Sequence, residues 1–276
     1  MRRLGNKEDM DAAFLPTDVE VALSCLQGDC PPGARLISGM VPCFPLHSMY
    51  AVLHEATEAN HELEELRLSS GVRILTCATA HGEEKMLVPA SEFTMAMRQV
   101  DGHAEEAGTS VDHEALAKCT GLQLGRAELQ AALGHATQDD VSRVAGALVQ
   151  QGWLMLPHSR QTGADEAPPD SQDWMWSMPG VGRLLSSLLR CRTEVLRVLW
   201  KQKFHRAMRH VVEGSPGVRK ALAAANLDLR YVQRDLVGKR LLEQVDTRAG
   251  TVLQLTPAGQ QLANHHAHTS GRKRRR

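Results

Sequence analysis

Aromatic side chains are scarce, with four Trp, two Tyr and four Phe in 276 residues. That is too few for a protein that holds single-stranded nucleic acid on rows of stacked bases. The six cysteines (Cys25, Cys30, Cys43, Cys77, Cys119 and Cys191) form no C-x-x-C pair, and residues 1–11 lack the apolar core of a secretory signal. Reduced thiols in a cytosolic or nuclear protein are expected. No run approaches the roughly 18 consecutive apolar residues of a membrane span. No Ser-His-Asp, Cys-His or paired-carboxylate constellation stands out. Asp139-Asp140 and Glu64-Glu65 read as charge at a helix start and on a solvated helix face. Net charge is missing too: 32 Lys+Arg face 32 Asp+Glu. Taken whole, that balance argues against a nucleic-acid binder.

The zero conceals a split. Residues 1–182 hold 12 basic and 26 acidic side chains, a balance of −14. Residues 183–276 hold 20 basic and 6 acidic, a balance of +14. Opposed halves point to an acidic part that faces proteins and a basic part suited to a polyanion. With 42% hydrophobic residues the chain has material for two domains or several small ones.

Hydropathy patterning repeats one unit three times: helices, an apolar strand, a polar turn and a return strand. The first copy has helical stretches at 17–27, 46–53 and 55–68, strands at 72–76 and 86–88, and a turn at 80–83. The second has helices at 111–118, 125–133 and from Thr137 to Gly152. Trp153-Leu154-Met155-Leu156 and Trp174-Met175-Trp176 are its strands, and the long polar loop 158–172 contains Pro168-Pro169. The third has helices at 182–200, 204–212, 218–225 and 227–237, strands at 241–245 and 251–255, and a tight turn at 246–250. Helices followed by a hairpin that needs them to bury its apolar face form the winged-helix arrangement. The expected fold is mainly α with small β-hairpins (α+β), three tandem winged-helix domains at 15–100, 104–180 and 181–257. Disordered ends are expected at 1–14 and 258–276. Trp153, Trp174 and Trp176 are expected mostly in the core.

Positive charge concentrates in the third copy. Along the helix 182–200, Leu184, Leu188, Cys191, Val195 and Val198 form an apolar stripe. Arg183, Ser187, Arg190, Glu194, Arg197 and Lys201 line the opposite side, with a single acid among them. The run continues through Lys203, Arg206, Arg209, Arg219 and Lys220. Arg230 and Arg234 lie one turn apart on the helix expected to enter a groove, and Arg248 lies at the hairpin tip. Together these twelve basic residues are the predicted contacts to duplex DNA, chiefly to phosphates. Pro179-Gly180-Val181-Gly182 reads as a bend from strand into helix rather than a phosphate loop. Gly271-Arg272-Lys273-Arg274-Arg275-Arg276 reads as a nuclear-localisation or nucleic-acid tail. His265-His266-x-His268 lacks partners at ligand spacing, so no metal and no cofactor are expected.

Several of these motifs resemble a known family, the winged-helix proteins called serine/threonine-protein kinase 19 or winged-helix repair factor. They are Trp174-x-Trp176-x-x-Pro179-Gly180-x-Gly182-Arg183, Lys201-x-Lys203-Phe204, Leu229-x-Tyr231-x-x-x-Asp235-Leu236-x-Gly238 and Gly250-Thr251-x-Leu253-x-Leu255. The resemblance implies three winged helices, a nuclear location and double-stranded DNA binding. It also implies a non-enzymatic adaptor role beside RNA polymerase II-associated proteins of transcription-coupled nucleotide excision repair. Kinase chemistry needs a Gly-rich loop, a strand Lys, a His-Arg-Asp base and an Asp-Phe-Gly metal motif. Here Pro179-Gly180-Val181-Gly182-Arg183 lacks the third glycine, and His205-Arg206 is followed by Ala207. A monomer without membrane attachment is expected. The rival readings are a sequence-specific helix-turn-helix regulator, an atypical kinase, and a module that binds only proteins.

Overall fold

A computed structural model describes residues 16–53, 56–79, 82–101, 113–134, 137–156 and 173–273. The chain is mainly α-helical with small antiparallel sheets. The expected ends 1–14, the loop 158–172 and two turn positions, 80 and 81, lie outside the described residues, as do the last three residues of the tail.

The first unit opens on α1 (Asp18–Gly28), where Thr17 and Glu20 close a reciprocal capping box. The two-residue strands β1 (Arg35–Leu36) and β2 (Val41–Pro42) pair with each other. β3 (Phe44–Pro45), a 3-10 helix Leu46–Ala51 and α2 (Ala56–Leu68) follow. The hairpin of β4 (Val72–Thr79) and β5 (Gly82–Pro89) completes a sheet ordered β3-β5-β4. A further amphipathic helix, α3 (Ala90–Asp101), was not anticipated from the sequence.

The second unit has α4 (His113–Lys118), β6 (Gln123–Leu124), α5 (Arg126–Ala132) and α6 (Gln138–Gln151). Thr137 caps α6 with Asp140, and Gly152 ends it in the left-handed region at φ +87°. β7 (Leu154–Met155) and β8 (Trp174–Trp176) finish a sheet ordered β6-β8-β7. The third unit runs α7 (Val181–Trp200), β9 (Arg206–Met208), α8 (Arg209–Gly214), α9 (Pro216–Ala225), α10 (Leu229–Gly238), β10 (Leu242–Thr247) and β11 (Gly250–Leu255), with sheet order β10-β11-β9. In all three units the last strand lies between the short early strand and its hairpin partner.

Two expectations are corrected. The stretch 204–212 is not one helix: β9 lies within it, pairing Met208 with Val252 and Arg206 with Gln254. Local periodicity cannot reveal a strand whose partner lies more than forty positions away. Nor is 258–273 disordered, since α11 (Pro257–Lys273) continues from the hairpin. Thr256 Oγ1 accepts the Gly259 N–H at 3.1 Å, Pro257 takes the first helical position, and Ala263 is buried. Thr-Pro is a helix-start signal that outweighs the polar composition following it.

Buried apolar side chains from Val19 to Ala263 form one connected core, so the units are not beads on a string. Phe93 of α3 meets Trp153 and Trp176 of the second unit edge-on, at ring-centroid distances of 5.2 and 6.0 Å. Trp153, Trp174 and Trp176 are all buried, as expected. No helix among the described residues is long and apolar enough to cross a membrane.

Candidate nucleic-acid interface

The basic surface starts on α7. Steps of seven, seven and four residues place Arg183, Arg190, Arg197 and Lys201 along one side of a 3.6-residue helix. The other side buries Leu184, Leu188, Cys191 and Val195. Gly180, at φ +90°, turns the chain from β8 into α7, consistent with a structural bend. Arg183, Arg190 and Lys201 are exposed and have no acidic partner among the described residues. Arg197 donates to Glu194 at 2.8 Å, the one acid on that stripe.

α9 packs on α7 through Val218, Ala221 and Leu222, which leaves Arg219 and Lys220 exposed. Arg206 is exposed at the start of β9, and Arg209 is half-buried one position beyond that strand. Arg248 is exposed in the two-residue turn between the paired residues Thr247 and Gly250. The third unit thus carries most of the predicted cations on elements that pack against one another.

Between α7 and β9 the chain makes a constrained turn. Phe204 and His205 both adopt left-handed backbone, φ +59° and +52°, which non-glycine residues rarely do. The His205 N–H donates to the Gln202 carbonyl at 3.0 Å. Its ring stacks on Trp200, centroids 4.5 Å apart and planes 1° from parallel, with Nδ1 3.1 Å from the Trp200 carbonyl oxygen. This anchoring turns Phe204 outward, 66% exposed, with Lys203 Nζ 5.0 Å and Arg206 Cζ 5.4 Å from its ring centroid. The sequence motif placed Phe204 among cations, but nothing in the pattern said the ring would face solvent.

α10, the helix expected to enter a groove, faces the first unit instead. Asp228 caps it by accepting the Tyr231 N–H at 2.7 Å. Leu229, Tyr231, Val232, Asp235 and Leu236 are buried. The Tyr231 hydroxyl donates to the Cys43 carbonyl at 2.7 Å. A Cβ on Gly238 would stand 1.7 Å from the His47 carbonyl oxygen, so only glycine fits that approach. Gly33 of the first unit donates its N–H to the Asn226 carbonyl at 2.8 Å. Arg230 and Arg234 converge on Asp29 Oδ2, at 3.1 and 2.6 Å. The hydrogen bond from Arg234, with Arg230 close by, holds the Asp29 carboxyl below its ordinary value.

Four residues to which the sequence pattern assigns no role lock this junction. Arg192 donates through Nε and Nη2 to Asp235 at 2.5 and 2.7 Å, and through Nη1 to Glu84 at 2.9 Å. Lys239 pairs with the same Glu84. Burial pushes the Glu84 carboxyl up, but Arg192 and Lys239 together outweigh it and leave it below its ordinary value. The signal was present: Arg192 sits nine residues after Arg183, half a helical rotation away, in the middle of the apolar side of α7.

The sequence model of one family, described as inactive serine-threonine protein kinase 19, matches residues 35–255. Winged helix repair factor 1 of Homo sapiens is 25% identical over 260 residues, which cover 92% of each chain. Winged helix repair factor 1 of Mus musculus is 26% identical over 235 residues, 80% of this chain and 79% of the other.

Proposed function

The chain belongs to the family of inactive serine-threonine protein kinase 19, and from that premise we propose that it is a nuclear, non-enzymatic adaptor that binds double-stranded DNA in DNA repair. Each unit is read as a winged helix, with boundaries near 15–100, 104–180 and 181–257. The repeated strand order and the helices before each hairpin support this. The carrying observation is the row of exposed cations on α7 and the elements packed against it that have no acidic partner among the described residues: Arg183, Arg190, Lys201, Lys203, Arg206, Arg219 and Lys220. Arg197, Arg209 and Arg248 extend this surface. Cations held free of carboxylates neutralise phosphates and release counterions, whatever the base sequence. Arg230 and Arg234 instead serve the junction with the first unit, which removes the main support for a base-reading helix. The acidic remainder repels phosphate and docks proteins, those of transcription-coupled nucleotide excision repair beside RNA polymerase II.

Binding of the full chain to a random-sequence duplex across a salt series tests this reading. Replacing Lys201 and Lys203 with Ala should weaken binding equally on every duplex. It should also flatten the log–log salt dependence by about 1 for each phosphate that is no longer neutralised. Unchanged affinity and slope would remove those lysines from the interface. A sharp motif selected from random duplexes would favour a regulator over an adaptor.

A further inference from the structure

Most aromatic side chains of this protein are buried, and a large ring exposed on a strained turn calls for an explanation. Phe204 is the most exposed large hydrophobic among the described residues, at 66%. Two consecutive non-glycine residues in left-handed backbone cost free energy. The stacking of His205 on Trp200 fixes the turn, so the ring is presented rather than left loose. Its neighbours Lys203 and Arg206 lie over it in the free protein, and both are candidate phosphate ligands. When those cations swing onto a backbone, the face of the ring is uncovered beside the nucleic acid.

A single flat apolar face between two phosphate ligands suits one base that has left its stack. The interior of a fully paired duplex offers no such face without first being opened. A row of unpaired bases would need several rings, which the aromatic-poor surface does not supply. We propose that Phe204 stacks on one unpaired base at the edge of a bound duplex, so that the preferred ligand is DNA at a duplex–single-strand junction. This rests on the duplex-binding reading above: the basic face of α7 holds the paired side, and the turn at 203–206 takes the first unpaired base. Ring–base stacking of ordinary strength gives about a tenfold preference for the junction.

The test compares the full chain on a fully paired duplex and on the same duplex opened at one end into a short fork, at matched salt. Three proteins are needed: the wild type, Phe204→Asn and Phe204→Trp. Asn tolerates left-handed backbone, so it removes the ring while keeping the turn. The expected result is an approximately tenfold preference for the fork in the wild type, lost in Phe204→Asn and kept in Phe204→Trp, with one salt slope throughout. Equal wild-type affinity for both DNAs overturns the stacking role and leaves duplex binding intact. So does a loss of the same size on both DNAs in Phe204→Asn. No binding to either DNA at low salt overturns the duplex reading itself.

Discussion

At position 192 an arginine interrupts the side of α7 that carries Leu185, Leu188, Val195 and Leu199. It is tolerated because its guanidinium meets two carboxylates, Asp235 from its own unit and Glu84 from the first. Replacing one partner leaves buried charge uncompensated, which is where such clusters reveal themselves. Glu84→Gln keeps the shape but strips Lys239 of its partner and Arg192 of half its neutralisation. The expected loss is about 2–3 kcal/mol at neutral pH, read from urea midpoints. The pH dependence follows from the lowered Glu84 and Asp29 carboxyls. A carboxyl with a folded value below its unfolded one contributes stability above the unfolded value. It loses that contribution as pH falls through the folded one. The gap between wild type and Glu84→Gln should therefore close below the ordinary carboxylate range, and a constant gap down to the acid transition would contradict the ion cluster. Gly238→Ala tests the same junction sterically. A Cβ driven against the His47 carbonyl should cost about 1–3 kcal/mol or more, with the helix propensity of Ala recovering only part of it.

At the scale of elements, α7 and α10 carry similar arginine spacing and do different things. α7 turns Arg183 and Arg190 to solvent, whereas α10 turns Arg230 and Arg234 onto Asp29. Replacing Arg183 and Arg190 with Gln should lower duplex affinity on every sequence and flatten its salt dependence while leaving the urea midpoint almost unmoved. Arg230→Ala should do the opposite: unaltered DNA affinity, and a stability loss of under about 1 kcal/mol for a half-exposed pair. Equal DNA losses in both variants would return α10 to the interface. This division marks how far the sequence could be read. Helical spacing gave the two faces of α7, and hairpin signals gave β4–β5 and β10–β11, since both depend on neighbours in the chain. The pattern gave α10 as a helix ending at Gly238, but not which surface covers its Tyr231, Val232 and Leu236. Periodicity encodes burial, while the identity of the covering surface (here the 3-10 helix Leu46–Ala51) is a long-range fact. β9 escaped notice for the same reason. The outward turn of Phe204 did so because backbone strain leaves no hydropathy signature.

For the molecule as a whole, the charge split acquires a second use. Asp29 and Glu84, both from the acidic half, neutralise Arg230, Arg234, Arg192 and Lys239 of the basic half, beside an apolar contact centred on Tyr231. The first unit also joins the second through Phe93 and its two tryptophan neighbours. The first unit is thus the hub that touches both others, and its loss would expose an apolar face on each. Units joined only by linkers would unfold separately. Units sharing one core should unfold together, because opening any junction exposes the apolar surface of two units at once. Urea denaturation followed by helix circular dichroism reports all three units, and tryptophan fluorescence reports mainly the second, which holds Trp153, Trp174 and Trp176. The expectation is coincident transitions by both probes for the wild type. Gly238→Ala, by wedging the first–third junction, should split them, leaving the tryptophan transition behind the loss of part of the helix signal. Separate transitions in the wild type would show that the junctions contribute too little to couple the units. The acidic half would then be a tethered neighbour rather than the support that holds the basic third unit in place.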